Sequence, residues 1–142
     1  MRKIFVLVLF TTFSFGCSLE SEVVTFRVDG VDYKTDPGEA LNVESGKISF
    51  SVKRINESAK KRYEDMTVML DFLDDYNKRY ISELDTYLIL GSKTYDDKKV
   101  HLYHFFKRKN SSRGISLLVM CPYDENEKYK EKIYRVVQSA HF

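Results

Sequence analysis

The segment ISLLVMC, residues 115–121, constrains the fold most. A half-buried strand alternates apolar and polar side chains with period two. Here both faces are apolar, the pattern of a central strand covered on each side. The chain must therefore build a sheet with packing layers above and below it. At 142 residues it has length for one such domain with a real core.

The flanking segments supply the rest of the sheet. VVTFRVDGVDYKT alternates, with Val24, Phe26 and Val28 on one side and Thr25, Arg27 and Asp29 on the other. Asp29-Gly30 predicts a two-residue hairpin, because a type I′ turn needs positive φ at both central residues. Val31 and Tyr33 continue the pattern on the return strand, and TDPGEA (35–40) is a turn-rich connection. KISFSVKRI (47–55) predicts a strand with Ile48, Phe50 and Val52 towards the core. NESAKKRYED (56–65) is polar and reads as a loop or a helical turn. In Met66–Leu73, the residues Met66, Val68, Leu70 and Phe72 have period two, which predicts a further strand.

Two helices are expected. Tyr76, Tyr80, Leu84, Tyr87 and Leu88 share one helical face after the N-cap candidates Asp74 and Asp75, predicting a helix over 75–90 that stops at Gly91. SKTYD and KVHLYHFFKR, separated by DK at 97–98, form a hairpin, NSSRG (110–114) turns the chain again, and Pro122 ends the central strand. Asp124 with Glu127 has the spacing of a capping box for a helix over 125–138, whose Tyr129, Ile133, Val136 and Val137 lie on one face. SAHF closes the chain as a short edge strand. The fold class is α+β: a mostly antiparallel sheet with two principal helices packed on it, in a single domain spanning 23–142.

Residues before 23 read differently. Arg2 and Lys3 precede an apolar run from Ile4 to Phe13, too short to span a bilayer, so 1–16 is expected to be a signal peptide cut after Gly16. Two cleavages compete within FSFGCSLE (13–20). Ordinary signal peptidase takes small residues at the third and first positions before the cut, here Ser14 and Gly16. SFGC also resembles the bacterial lipobox, with Gly16 and Cys17 matching and Ser14 standing where Leu is usual. By that resemblance the Cys17 thiol forms a thioether to diacylglycerol and its freed amine is acylated, and 17–22 becomes a lipidated tether. Ser18 follows, not the Asp associated with inner-membrane retention in enteric bacteria, so the anchor is expected at the outer membrane. The remaining cysteine is Cys121; a Cys17–Cys121 disulfide, since exported chains meet oxidising conditions, and an unpaired Cys17 are the alternatives.

Removing the signal changes the charge. The chain has 23 Lys+Arg and 21 Asp+Glu; without Arg2 and Lys3 the balance is 21 to 21. A neutral domain lacks the electrostatic footprint of a nucleic-acid binder. KKR (60–62) and KRK (107–109) read as solvated surface.

Candidate chemistry is sparse. His101 and His104 are three apart on a predicted strand, so they point to opposite faces and cannot share a metal. Cys121 sits in an apolar run and reads as a small buried hydrophobe. Capping and turn duty accounts for the pairs Asp74/Asp75 and Asp96/Asp97. The glycines form no phosphate-binding cluster, and Ser116 is followed by Leu117 and Leu118, which breaks a nucleophile elbow. No catalytic residue, cofactor or metal site is expected. Tyrosine is abundant, with ten residues and no Trp, and Tyr95, Tyr103 and Tyr123 fall near the expected sheet ends. A tyrosine combines apolar area with a hydroxyl, which suits a protein interface.

The order helix, GSKTYDDKKVHLYHFF, turn, GISLLVMCP, helix, EKIYRVVQSAHF resembles the PsbP/DcrB-like domains over residues 41–142. In the closing hydrophobic-Val-x-Ser-x-x-Phe pattern of that family, Val137, Ser139 and Phe142 fit. The resemblance implies an α/β/α sandwich and a mostly non-enzymatic binding or assembly role. The functional expectation is a lipid-anchored protein of the bacterial cell envelope that binds a membrane through the lipid on Cys17, and a protein partner besides. Two other classes stay open: an immunity lipoprotein that blocks a toxin in the periplasm, and a small secreted enzyme.

Overall fold

Asp29 and Gly30 take φ values of 52° and 79°, and the chain reverses there as Asp-Gly predicts. The hairpin joins β1 (Thr25–Val28) to β2 (Val31–Lys34), with Val28 opposite Val31. These strands belong to a computed structural model that describes residues 23–36 and 38–142. The expected signal peptide with its cut at Gly16, the lipid site Cys17 and the tether to residue 22 lie outside the described residues.

A second sheet has six antiparallel strands in the order β3-β4-β8-β7-β6-β5. They are β3 (Leu41–Ser45), β4 (Ile48–Ile55), β5 (Asp75–Ile81), β6 (Thr86–Tyr95), β7 (Lys98–Arg108) and β8 (Gly114–Pro122). The doubly apolar segment forms β8, between β4 and β7, where both faces need cover. On one face Phe50, Leu88, Phe105, Leu117 and Val119 pack with Ile133, Val136 and Val137 of the long helix α3 (Asn126–Ser139). The β1–β2 hairpin extends that layer through Val24, Phe26 and Val28. Against the other face, around Ile89, Leu102 and Phe106, pack α1 (Ala59–Glu64) and α2 (Thr67–Phe72). The result is the expected α+β class with helices on both sides of the sheet.

Two expected elements are corrected. Residues 75–90 are not a helix: they form β5, a single 3-10 turn at Ser82–Leu84, and the start of β6. The spacing was ambiguous because tyrosines four apart share a helix face and also a strand face. Tyr80 in fact faces Tyr87 across the β5–β6 register, with ring centroids 4.8 Å apart. The reversal uses Asp85 at φ 48°, a left-handed residue without the usual glycine.

Met66–Leu73 is helical, not a strand. The stripe packed on the core is Met66, Met69, Leu70 and Leu73, at helical spacing, while Val68, one of the period-two residues, is 80% exposed. Gly91 likewise ends no helix. It lies inside β6, where a Cβ would come 2.6 Å from Leu73 Cδ1 and 2.7 Å from the Asp75 carbonyl oxygen. The space its missing side chain leaves is filled by Leu73, just past α2, and by the first residue of β5.

Smaller differences follow the same logic. The β6–β7 turn is Asp96-Asp97, at φ 48° and 66°, one residue earlier than the DK placement. No side chain caps α3; a 3-10 turn at Tyr123–Glu125 leads into it in place of the capping box. At the other end of α3 the half-buried Lys107 ammonium, reaching over from β7, donates to the carbonyls of Val137 (2.9 Å), Gln138 (3.1 Å) and Ala140 (2.7 Å). A cation there satisfies the orphan carbonyls and the negative end of the helix dipole together. The expected closing strand is a single bridge between His141 and Thr25.

Candidate functional site

Three places hold the side chains that could act. The first is buried. His101 and His104 point to opposite faces of β7, as the spacing requires. His104 lies under α1 and α2, stacked on Phe106 at 4.2 Å, with Nε2 2.8 Å from Ser116 Oγ and Nδ1 3.3 Å from Met69 Sδ. A thioether sulfur has no proton to give, so Nδ1 carries the hydrogen and Nε2 accepts from the Ser116 hydroxyl. That geometry is shared with a Ser–His pair that attacks acyl groups. The electrostatics differ, however. Burial, helped by Arg62, pushes the imidazole down to about 3, far below the value near neutrality that suits a general base. The pair therefore acts as a satisfied polar contact inside the second core layer. Sequence reading missed it because Ser116 and His104 are brought together only by the β7–β8 register, His104 opposite Leu118 and Phe106 opposite Ser116.

Cys121 is the second. It is buried on the α3 face of β8, and burial raises its thiol to about 11, where it is neither nucleophile nor metal ligand at neutral pH. Among the described residues no group of three or more His, Cys, Asp or Glu could hold a metal ion.

The third is an aromatic end of the sheet. Tyr95 closes β6 and Tyr123 follows β8, and both lie at the end marked by the Asp96-Asp97 turn and the β8–α3 junction. They are 39% and 38% exposed. Tyr103, the third expected member, is only 1% exposed: its ring stacks on Phe105 and its hydroxyl donates to Asn126 Oδ1 beneath α3. Burial raises that phenol's pKa, and its role is to tie β7 to the start of α3.

Residues that the sequence reading did not nominate complete this end. Phe72, at the end of α2, lies 5.9 Å from Tyr95, and Lys93 Nζ sits 4.8 Å above its ring. Tyr76 on β5 and Val68 on α2 are exposed nearby in the chain. Tyr123 stacks flat on His101, with centroids 4.4 Å apart and planes 3° from parallel, and Lys99 Nζ lies over the Tyr123 ring at 4.1 Å. The Asp74 carboxylate accepts from the Thr94 amide at 2.9 Å and pairs with Lys93 at 3.5 Å, locking the α2–β5 junction to β6. Rings held by neighbours on fixed strands present apolar area at low entropy cost, as binding anchors do. The signal for Phe72 was the helical stripe in 66–73, which leaves Val68 and Phe72 off the buried face. β5 beside them is an edge of the sheet, bonded to β6 alone.

No protein-family model matches this chain, and no curated protein matches it either. Solved structures do. The crystal structure of LpqN, involved in cell envelope biogenesis of Mycobacterium tuberculosis, is similar at a TM-score of 0.51 and 9% identity, covering 83% of this chain and 82% of that one. The solution structure of cyanobacterial PsbP (CyanoP) from Synechocystis sp. PCC 6803 is similar at a TM-score of 0.49 and 12% identity, covering 84% of this chain and 92% of that one. At 9% identity the likeness to LpqN is a likeness of fold. Among the described residues no helix is long and apolar enough to cross a membrane.

Proposed function

We propose that this chain is a non-catalytic binding module of the bacterial cell envelope, tied to the outer membrane by lipid on Cys17 and engaging a protein partner through its aromatic end. The observation that carries the reading is the placement of the two ends. The N-terminal strand β1 enters the domain beside His141, at the end of the sheet where β7 finishes and β8 begins, while Tyr95, Phe72 and Tyr123 lie at the opposite end. An anchor six residues before Val23 would hold the aromatic end away from the lipid, open to a partner.

Further support comes from the neutral charge of residues 17–142, from the low basicity of His104 and the burial of Cys121, and from the fold shared with LpqN, a protein of envelope biogenesis. Mass spectrometry of the protein extracted from native membranes tests the anchor: diacylglyceryl and acyl mass on Cys17 is expected, and an unmodified Cys17 overturns it. A photo-crosslinking amino acid at position 95 tests the binding end. Crosslinks to one envelope protein are expected there and not from position 53 on β4; equal labelling from both sites overturns it.

A further inference from the structure

The two edges of the six-stranded sheet are finished differently. At one edge β3 carries two buried residues, Val43 and Ser45, and the Ser45 hydroxyl donates to the Asp29 carboxylate of the first hairpin. At the other edge β5 is bonded to β6 alone. None of its seven residues is buried and five are exposed. Its pairing with β6 runs without a break from Asp75–Ser92 to Ile81–Thr86, so no bulge bends it, and it contains no Pro. In an antiparallel ladder alternate residues turn their amides and carbonyls away from the partner strand, which leaves β5 with a row of backbone groups facing outward.

The side chains leave that row accessible. A lysine on an edge strand commonly repels a neighbour, but the Lys78 ammonium is drawn back over the Tyr63 ring at 4.3 Å and donates to the Tyr63 carbonyl at 3.1 Å. Tyr80 packs on Tyr87 and donates to Asp85, yet it is 48% exposed, as is Tyr76. Those three residues share one face. The other face holds Asp75, whose carboxylate accepts from the Ser92 hydroxyl at 2.8 Å, then Asn77 and Arg79. The Arg79 charge is felt at Tyr103 but enters no salt bridge among the described residues.

These charges select a second copy as the partner. Residues directly opposite in antiparallel strands share a face, so a two-fold axis between two copies of β5 passes at a residue and not between two. At Lys78 the two lysines would stand opposite each other, and at Arg79 the two arginines would; like charges so placed are destabilising. At Tyr76 only Asp75 to Asn77 overlap. At Asn77 the whole stretch from Asp75 to Arg79 overlaps, and Asp75 of each copy faces Arg79 of the other. Tyr76 then lies opposite Lys78, with Tyr80 of the second copy at diagonal reach.

We propose that β5 pairs antiparallel with β5 of a second copy about a two-fold axis at Asn77, joining the two sheets into one. Two Asp75–Arg79 pairs fix the register, and Tyr76 and Tyr80 of both copies cover one face of the seam. An interface of this length is small and transient. Confinement to a membrane raises the concentration at which copies meet, and that step alone rests on the reading of Cys17 as a lipid anchor.

The test uses the chain from residue 17 onward with Cys17→Ser, which contains both core clusters and carries no lipid. Sedimentation equilibrium at up to about 0.2 mM should show monomer and dimer together, the range of a small transient interface. Asp75→Arg alone, or Arg79→Asp alone, sets like charges opposite and should weaken the dimer about tenfold. The two together restore opposite charges and should bring it back to within about threefold of the parent chain. The double variant lacks the bond to Ser92 just as Asp75→Arg does, so recovery reads the pairing between copies and not the fold. Glu44→Arg on the β3 edge should leave the dimer unchanged. In native membranes a photo-crosslinking residue at position 77 should join two copies of the chain. A monomer at every concentration, a double variant no better than the singles, equal loss from Glu44→Arg, or adducts from position 77 to another protein alone each overturn the proposal. The sedimentation sample holds neither lipid nor envelope partner, so this proposal fails separately from the readings of Cys17 and of the aromatic end.

Discussion

The Lys107 ammonium lies 2.9 Å from the Val137 carbonyl oxygen and binds two more carbonyls of the same helix end. A sheet residue thus closes a helix that has no side-chain cap of its own at either end. Desolvation lowers the lysine's pKa, yet three oxygen acceptors hold the ammonium in place. Lys107→Met keeps the stem and removes the donor. Stability is expected to fall by about 2 kcal/mol, the scale of a charge-assisted hydrogen bond to a buried acceptor, as a lower urea midpoint with the slope unchanged.

His104 makes stability depend on pH in a definite direction. Its folded value of about 3 lies below the ordinary 6.5, so between those values the unfolded chain binds a proton that the folded chain does not. Stability is therefore full above about pH 6.5 and falls as pH drops towards 3, with a slope approaching 1.4 kcal/mol per pH unit for one proton. Urea midpoints between pH 7 and pH 5 are the measurement. His104→Gln should flatten the slope there, where the surface carboxylates contribute little.

Gly91 has no room for a side chain. A methyl would meet Leu73 at 2.6 Å and the Asp75 carbonyl at 2.7 Å. Gly91→Ala is expected to cost about 2–3 kcal/mol. Adding Leu73→Ala should not restore it, since the backbone oxygen cannot withdraw and the second change opens a cavity of its own. Thermal unfolding of the two variants decides this.

The aromatic end separates binding from folding. Phe72→Ser and Tyr95→Ser replace exposed rings and are expected to change stability by less than about 1 kcal/mol. Each should abolish most crosslinking from neighbouring positions to the envelope partner. Tyr103→Phe is the contrast: it removes the bond to Asn126, costs about 1 kcal/mol, and leaves crosslinking intact.

The pattern of ISLLVMC, the Asp29-Gly30 turn and the Tyr129–Val137 stripe determined a covered central strand, the first hairpin and α3 without reference to anything distant. Each is a local signal, readable because turn chemistry and side-chain period act within a few residues. The separation of His101 from His104 onto opposite faces was equally legible. Tertiary structure decided the identity of 66–90. There Met66–Leu73 and Tyr76–Leu88 fit both periods, and the choice fell to what each face could cover: α2 packs on the second core layer and delivers Leu73 over Gly91, and β5 completes the sheet edge. It also decided the fate of the tyrosines, because burial of Tyr103 and exposure of Tyr95 follow from which side of β7 and β6 receives α3. Lys107 reads as part of a solvated KRK run until α3 ends beside it, and His104 as a strand histidine until the register sets Ser116 diagonally across from it. Such pairings join residues far apart in the chain, through registers and packing that no local period encodes.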